Sequence, residues 1–304
     1  MNNRDAVMKS CYLCGNDELA MVYALQEFSV VRCRHCNLTF TLLPDQHAAR
    51  QNNSECYGAE HWGRTYFRAK KKLGRRYRHL AQLIGTYKQT GRLLDVGCSL
   101  GFFLETARES GFDVYGVEPV DSAAAFAREV LKLKVTTGTL EQAKFASDSF
   151  DVVCLFDVLE HIPDPLAVLA EITRILKKDG LLVLQCPNIE STMATLTRQH
   201  WRWLLVPQHL YHFSRATISD LLYKAGFQIL NWSAYDDEQE FAGNLVETRL
   251  MRVVPWPSMR RLRLLITCAL LPAARMLVRR RYSKYQNANG GVMLVFASPK
   301  TQGS

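Results

Sequence analysis

Four cysteines near the N-terminus have the spacing of a metal site. They form two Cys-x-x-Cys pairs separated by 18 residues, Cys11 with Cys14 and Cys33 with Cys36. Two cysteines three positions apart on a tight turn can both point their sulfur atoms inward, and a second pair then completes a tetrahedron. The spacing predicts a structural zinc ion held by four thiolates, whose closed coordination leaves no position for catalysis. Four free thiols or a redox pair are the alternatives.

A second group of chemically useful residues lies at 93–104, with the sequence LLDVGCSLGFFL. This run predicts a buried strand, a loop of small residues and the first turns of a helix. Gly97 and Gly101 let the backbone approach a ligand closely, and the N-terminus of the helix offers free N–H groups with partial positive charge. Such a loop suits a carboxylate or a phosphate, and Asp95 adds an acceptor for an amine.

Glu118 closes the next predicted strand, 21 residues beyond Gly97. In nucleotide-binding α/β folds, a carboxylate at this place accepts hydrogen bonds from both hydroxyls of a ribose. The loop itself lacks the third glycine of the dinucleotide fingerprint G-x-G-x-x-G. A dinucleotide is therefore only one of the competing interpretations of this loop.

The same loop also matches the nucleophile elbow G-x-S-x-G, with Ser99 at its centre. Asp157 and His209 follow in the chain order of a catalytic triad, so an esterase is a second interpretation. An elbow serine normally follows several strands of its sheet, whereas this loop follows the first strand of the repeat. The elbow also leaves Asp95 and Glu118 without a role.

Strands and helices alternate from residue 92 onwards. The predicted strands are 92–97, 113–118, 133–137, 150–156, 180–186, 227–235 and 290–297, and the predicted helices are 101–110, 122–132, 165–177 and 215–225. Apolar strands between amphipathic helices predict an α/β fold, a Rossmann-like, mostly parallel seven-stranded sheet with helices on both faces. A small zinc ribbon precedes it.

This pattern divides the chain into three parts. Residues 1–45 are predicted to form the zinc-ribbon-like module, residues 46–91 a linker and a basic helix, and residues 92–304 the main domain. The main domain contains an insertion at about 236–289, where the alternation of strands and helices stops.

Composition excludes several protein classes. The chain has 304 residues, of which 48% are hydrophobic and 22% charged, values that exclude disordered, collagen-like and coiled-coil proteins. Nine cysteines are too few and too scattered for a disulfide-stapled secreted domain. The sequence also lacks an N-terminal apolar run and any stretch of about 18 uncharged apolar residues. We therefore expect no signal peptide, no spanning helix and a cytoplasmic location.

The formal net charge of +9 is concentrated in two blocks. Residues 248–304 contain eleven Lys or Arg and no Asp or Glu, and residues 61–94 contain ten Lys or Arg and no Asp or Glu. Such blocks predict contact with a membrane surface, a phosphate-bearing substrate or nucleic acid, and two solvated helix faces are the plain alternative.

Residues 255–285 place an apolar core between arginines. The core, 264–274, has eleven uncharged residues, whereas a helix needs about 20 to cross a bilayer. The segment could lie in a membrane interface on the cytoplasmic side. A helical pair packed on the domain, or on a second subunit, is the alternative.

Taken together, the motifs resemble those of class I S-adenosylmethionine-dependent methyltransferases of the ubiquinone-type and sugar-type branch. The resemblance covers roughly residues 90–235. It rests on the Asp-x-Gly-x-x-x-Gly pattern from Asp95, on Glu118-Pro119, on FDVVCLFDVLEH over 150–161, on LKKDGLLVL from 176 with Asp179 in place of a glycine, and on HLYHFSRATI from 209 and AGF from 225. The cysteine pairs look like those of some sugar C-methyltransferases, whose His-Glu-His run is absent here.

The resemblance implies S-adenosylmethionine as cofactor. The residues that it assigns to cofactor binding are Asp95, Gly97, Ser99, Gly101, Glu118, Thr139, Leu140, Phe156 and Asp157. The loop after the first strand would hold the methionine moiety, Glu118 the ribose, and the turn at 139–140 the adenine. Phe156 and Asp157 would border the pocket, although Phe156 could equally be plain core.

Methyl transfer from a sulfonium is an in-line displacement, so the protein mainly supplies alignment and excludes water. A general base is needed only if the acceptor must lose a proton. His209 is the preferred candidate, because its segment can fold over the acceptor, and His161 is the second. The acceptor is expected to be a sugar or a lipid- or isoprenoid-linked intermediate.

Three other functions compete. The zinc ribbon and basic helix favour an RNA methyltransferase, but the fourth strand ends in Asp157-Val-Leu-Glu rather than in the Asn/Asp-Pro-Pro-Tyr type used on base amino groups. A Ser99 esterase is less favoured. A non-catalytic scaffold that docks a partner through the ribbon is the third.

Overall fold

The computed structural model describes residues 10–25, 27–43, 73–235 and 290–300, together with residues 246 and 270. The predicted linker up to residue 72 lies outside the described residues, as does the predicted insertion, which includes 255–285, apart from residues 246 and 270. Within the described part of the chain, no helix combines the length and the apolar character needed to cross a bilayer.

The described strands and helices alternate from residue 91 onwards. In chain order the strands are β1 (Leu19–Ala24), β2 (Ser29–Cys33), β3 (Thr39–Leu42), β4 (Gly91–Val96), β5 (Phe112–Glu118), β6 (Lys134–Thr137), β7 (Phe150–Phe156), β8 (Leu176–Pro187), β9 (Tyr211–His212), β10 (Phe227–Tyr235) and β11 (Val292–Pro299). The helices are α1 (73–85), α2 (Phe102–Glu109), α3 (Asp121–Glu129), α4 (Leu140–Ala143), α5 (Pro165–Ile175), α6 (Thr192–Thr197) and α7 (Arg215–Lys224).

The central sheet has seven strands in the order β10-β11-β8-β7-β4-β5-β6. Strands β4 to β8 pair in parallel, and β11 runs antiparallel between β8 and β10. Buried apolar side chains form a separate cluster on each face, under the helices. The predicted mostly parallel, doubly covered sheet is confirmed. Its strand order brings the carboxyl ends of β4, β5 and β7 to one edge.

Helices α5 and α7 begin at capping signals that are readable in the sequence. The Asp164 carboxylate accepts a hydrogen bond from the Ala167 N–H at 3.1 Å, and a proline follows at the first helical position. Ser214 and Thr217 exchange side-chain and main-chain hydrogen bonds as a capping box.

Strand β8 begins four residues before its predicted start at residue 180. Leu176 already pairs with Phe150 of β7. The Lys177 ammonium also lies 2.7 Å from the Asp151 carboxylate on the neighbouring strand. These cross-strand contacts hold the chain extended where local periodicity predicts the end of a helix.

A second, antiparallel sheet has the order β1-β2-β3-β9. Its first three strands belong to the predicted zinc-ribbon-like module, but β9 comes from the main domain, and His212 pairs with Thr39. The Thr41 hydroxyl lies 3.0 Å from Nε2 of His212. The N-terminal module therefore shares a sheet with the main domain, a link that the predicted boundary at residue 45 does not anticipate.

Side chains strengthen this junction. The Tyr12 hydroxyl donates to the Asp164 carboxylate and accepts from the Leu166 N–H at 2.9 Å. The rings of Tyr12 and Tyr211 lie 5.3 Å apart, and the Lys224 ammonium donates to a main-chain carbonyl of the module. The module and the main domain also bury their apolar side chains in one common cluster.

We predict that this junction makes stability depend on pH. Burial lowers the pKa of His212 to about 3, whereas an unfolded histidine has a pKa of about 6.5. Between these values the unfolded chain binds one more proton at this histidine. The contribution of His212 to stability is therefore complete above about pH 6.5 and is lost as the pH drops towards 3.

Thermal unfolding followed by circular dichroism at pH 7, 6 and 5 should show a falling midpoint. His212→Gln keeps an N–H donor but cannot bind the proton, so its midpoint should fall less steeply. The same pH dependence in both proteins would contradict the prediction.

Candidate functional site

The loop between β4 and α2 has a backbone that requires glycine at two positions. Gly97 and Gly101 have φ values of 73° and 79°, in the left-handed region. A Cβ at Gly97 would lie 2.6 Å from Cγ2 of Val158, and one at Gly101 would lie 2.7 Å from Cδ1 of Leu133. The loop is thus closely packed against Val158 and Leu133. Helix α2 begins directly after it, without a side-chain cap. Its first N–H groups are donors suited to a ligand carboxylate.

Glu118, at the end of β5, is tied to this loop. One carboxylate oxygen accepts from the Ser99 N–H at 2.8 Å, and the other accepts from the Val120 N–H at 2.9 Å. Burial raises the pKa of Glu118, although these two N–H donors act in the opposite direction. Each carboxylate oxygen can accept a further hydrogen bond, which is what two ribose hydroxyls need.

Asp95 lies at the end of β4 and is only 4% exposed. Burial, followed by the nearby charge of Glu118, raises the pKa of Asp95 well above its usual value. Two carboxylates buried side by side favour a ligand that carries positive charge. The ammonium and sulfonium groups of S-adenosylmethionine meet this requirement, so the residues present fit the cofactor that the motifs imply.

The remaining predicted cofactor residues occupy neighbouring strand ends. Thr139 is exposed and caps α4 in a capping box with Gln142, while Leu140 is buried. Phe156, at the end of β7, is half-buried and meets Phe103 edge to face at 4.7 Å. This contact supports the alternative in which Phe156 contributes to the core, although its place at the strand end keeps it beside the loop.

Asp157 is held by residues that sequence reasoning did not single out. Nε2 of Gln185 donates to both of its carboxylate oxygens at 2.8 Å, and Arg76 lies 3.3 Å away. The Tyr235 hydroxyl donates to Oε1 of the same glutamine. The only available signal was position, because Gln185 and Tyr235 lie at the edge of the sheet near the strand ends. This arrangement is not the Asp–His pairing that the Ser99 esterase requires.

Two histidines, His161 and His209, contact each other through their rings. The rings of His161 and His209 lie 4.5 Å apart, edge to face, and Nδ1 of His161 lies 2.9 Å from the Gln208 carbonyl oxygen. Burial lowers the pKa of His161. The pKa of His209 is lowered further, by burial and then by the charges of His161 and His212.

Glu160 joins this histidine pair. It is 1% exposed, and burial raises its pKa well above the usual value. Glu160, His161 and His209 each offer one potential metal-ligand atom, and these three atoms all lie within 4.8 Å of one another. A carboxylate and two imidazoles can share protons or bind a divalent cation. The sequence brought His161 and His209 forward as alternatives, and the structure places them together.

The four N-terminal cysteines converge as predicted. Their sulfur atoms all lie within 4.8 Å of one another, with Cys11 and Cys36 at 3.4 Å and Cys14 and Cys33 at 3.5 Å. Four sulfur atoms arranged in this way fit a tetrahedral metal ion.

We predict that Glu118→Ala weakens the binding of S-adenosylmethionine and of adenosylhomocysteine. The substitution removes the carboxylate proposed for the ribose, so the Kd should rise about 10- to 100-fold, as expected for lost hydrogen bonds to a charged group. Isothermal titration calorimetry measures the change. Glu171→Ala removes a half-buried carboxylate of α5 that pairs with Arg174 and serves as the control. An unchanged Kd in the first variant would contradict this assignment.

The part of the chain that contains this site is similar in sequence to known methyltransferases. The Methyltransferase domain family matches residues 67–231 of this chain. A ubiquinone biosynthesis O-methyltransferase of Cereibacter sphaeroides is 30% identical over 176 residues, which are 51% of this chain and 71% of that protein. One from Aliivibrio fischeri is 33% identical over 125 residues, which are 38% of this chain and 53% of that protein.

Solved structures share the fold. A SAM-dependent methyltransferase from Thermotoga maritima superposes with a TM-score of 0.52 at 20% identity, over 80% of this chain and 98% of that chain. One from Archaeoglobus fulgidus has a TM-score of 0.52 at 19% identity, over 75% of this chain and 94% of that chain. The family match covers more than half of the chain, and the relatives are similar to it in sequence. This chain therefore belongs to the S-adenosylmethionine-dependent methyltransferases.

Proposed function

We propose that this methyltransferase transfers the methyl group of S-adenosylmethionine to a hydroxyl oxygen of a lipid- or isoprenoid-linked small molecule. The observation that carries the proposal is the histidine pair beside the strand end that bears Asp157. A hydroxyl must lose its proton when its oxygen is methylated, and a neutral imidazole near the acceptor can take that proton.

His161 is the better candidate for the proton acceptor. The Gln208 carbonyl can only accept, so Nδ1 of His161 carries the hydrogen, and Nε2 is the accepting nitrogen of the neutral ring. The lowered pKa favours the neutral form at pH 7. His209, the candidate preferred from sequence, is only 3% exposed, which supports a place behind His161 rather than against the acceptor.

The rest of the site aligns the two reactants. The methyl group is already activated by its sulfonium, so proximity and exclusion of water supply most of the rate enhancement, with about 7–11 kcal/mol available from orientation. We assign the methionine moiety to the glycine loop with Asp95, the ribose to Glu118, and the border of the pocket to Asp157.

The acceptor class is proposed from two observations. The relatives that share sequence with this chain are named ubiquinone biosynthesis O-methyltransferases, and ubiquinone carries an isoprenoid chain. The basic and apolar segment 255–285 would suit contact with the membrane that contains such an acceptor, although it lies outside the described residues. A sugar acceptor is the alternative.

We also propose that Cys11, Cys14, Cys33 and Cys36 bind one structural zinc ion. The convergence of four sulfur atoms supports this, as does their place in two turns, one before β1 and one between β2 and β3. The ion would contribute folding free energy to the N-terminal module and no chemistry to methyl transfer.

An assay with methyl-labelled S-adenosylmethionine tests the acceptor. A catechol with a short prenyl chain, presented in anionic phospholipid vesicles, should take up label, whereas a nucleotide-linked sugar and a transfer RNA should not.

His161→Gln should lower kcat by about 10²- to 10⁴-fold, the usual contribution of a general base. Its affinity for the cofactor should stay within twofold of that of the unaltered protein.

Label in the sugar alone would show that the acceptor is a sugar and contradict the proposed acceptor class. An unchanged kcat in His161→Gln would contradict the role of His161 as general base.

Flotation of the protein with the same vesicles, with and without residues 255–285, tests the membrane contact. Equal flotation of both proteins would defeat that part of the proposal.

Metal analysis tests the zinc site. The purified protein should contain zinc, and Cys14→Ser with Cys36→Ser should remove one equivalent. Cys186→Ser is the matched control, because this thiol is also buried but lies in β8, away from the cluster. Equal zinc content in all three proteins would contradict the assignment.

A further inference from the structure

The peptide of Leu210 connects the N-terminal module to the histidine pair. Its N–H donates to the Glu160 carbonyl oxygen at 2.8 Å, and its own carbonyl oxygen accepts from the Thr41 N–H at 2.9 Å. Three separate pieces of chain are therefore joined in one ladder: β3 of the module, the segment around Leu210, and the 3₁₀ turn Leu159–His161. The turn that carries His161 is thus two hydrogen bonds away from the cysteine module.

The Thr41 side chain adds a second connection. Its hydroxyl donates to the main-chain oxygen of His209 at 2.8 Å and lies 3.0 Å from Nε2 of His212. A hydroxyl has a single hydrogen, which the His209 carbonyl requires, so Nε2 of His212 must be the donor in the second contact. Thr41 is fully buried, and water therefore cannot replace either bond.

We propose that Thr41 is a positioning residue for methyl transfer. It holds the main chain of His209 and the ring of His212 in place, and His209 in turn packs against the His161 ring. The inference rests on the proposed role of His161. It gives the cysteine module a definite function, which is to supply the strand that fixes the acceptor side of the site.

This function explains why the module shares a sheet with the main domain. A reacting group must be held to within a fraction of an ångström, and a displacement of about 1 Å can cost about 100-fold in rate. A mobile segment around His209 would not meet that requirement. Pairing of β9 with β3 places Tyr211 and His212, which follow this segment, in a sheet and so limits its movement.

Thr39 provides a matched control on the same strand. It is as deeply buried as Thr41, but its hydroxyl accepts from Nε of Arg32 within the module at 3.1 Å. Thr39→Val and Thr41→Val therefore remove equivalent hydroxyls from neighbouring positions, and only the second removes a contact with the histidine segment. Thr41→Ser keeps the hydroxyl and should restore the behaviour of the unaltered protein.

The full-length variants are compared in the prenylated-catechol assay and by calorimetry with S-adenosylmethionine. Thr41→Val should lower kcat about 10- to 100-fold, with KM and cofactor Kd within about threefold, while Thr39→Val and Thr41→Ser remain within threefold in kcat. Equal kcat in Thr41→Val and Thr39→Val would overturn the proposal.

Ring-nitrogen NMR of the histidine-labelled protein gives a test that needs no methyl acceptor. His212 should carry its hydrogen on Nε2 and His161 on Nδ1, with assignments from His212→Gln and His161→Gln. A hydrogen on Nδ1 of His212 would refute the role of Thr41. If the catechol takes up no label, the proposed function fails. The inference is then tested by the His161 and His209 signals, which should shift in Thr41→Val and stay in place in Thr39→Val. Signals that do not shift in Thr41→Val would contradict it.

Discussion

The Glu118 carboxylate joins the ends of two neighbouring parallel strands, and the shape of the proposed cofactor site depends on that contact. It accepts from the N–H of Ser99 in the loop after β4 and from the N–H of Val120 after β5. The same carboxylate therefore shapes the loop and presents acceptors to a ligand. Its burial beside Asp95 is unfavourable for two negative charges, and a cationic sulfonium cofactor offsets that cost.

The proposed acceptor side of the site is built differently. It takes Asp157 and His161 from the end of β7 and holds them from other parts of the fold. Gln185 and Arg76 restrain the carboxylate, whereas the segment around His209, paired with β3, restrains the histidine. The proposed cofactor loop is thus positioned by its own glycines and by Glu118 of the neighbouring strand, whereas the proposed acceptor side is positioned by contacts between residues far apart in the sequence. Substitutions in the cysteine module are accordingly expected to affect turnover more than cofactor affinity.

Much of the fold was predictable because local and tertiary preferences agree. Strand β7 reads FDVVCLF, and its observed bounds, Phe150–Phe156, match the prediction, since a continuous apolar run suits a strand buried on both faces. Disagreement arose where neighbouring strands decide the outcome. Residues 176–179 are polar or charged for the most part, yet they are extended because Leu176 and Lys177 bind the adjacent strand.

The sequence by itself predicted the glycine loop after β4, the carboxylate of Glu118 at the end of β5 and the four-cysteine cluster, because each is encoded by residue types at short, fixed spacing along the chain. Only the tertiary structure decided that Gln185 and Arg76 contact Asp157, that the rings of His161 and His209 pack together, and that β9 completes the sheet of the cysteine module. These contacts join residues up to 173 positions apart. Local periodicity carries no information about such pairs, because their proximity follows from the order of strands in the two sheets.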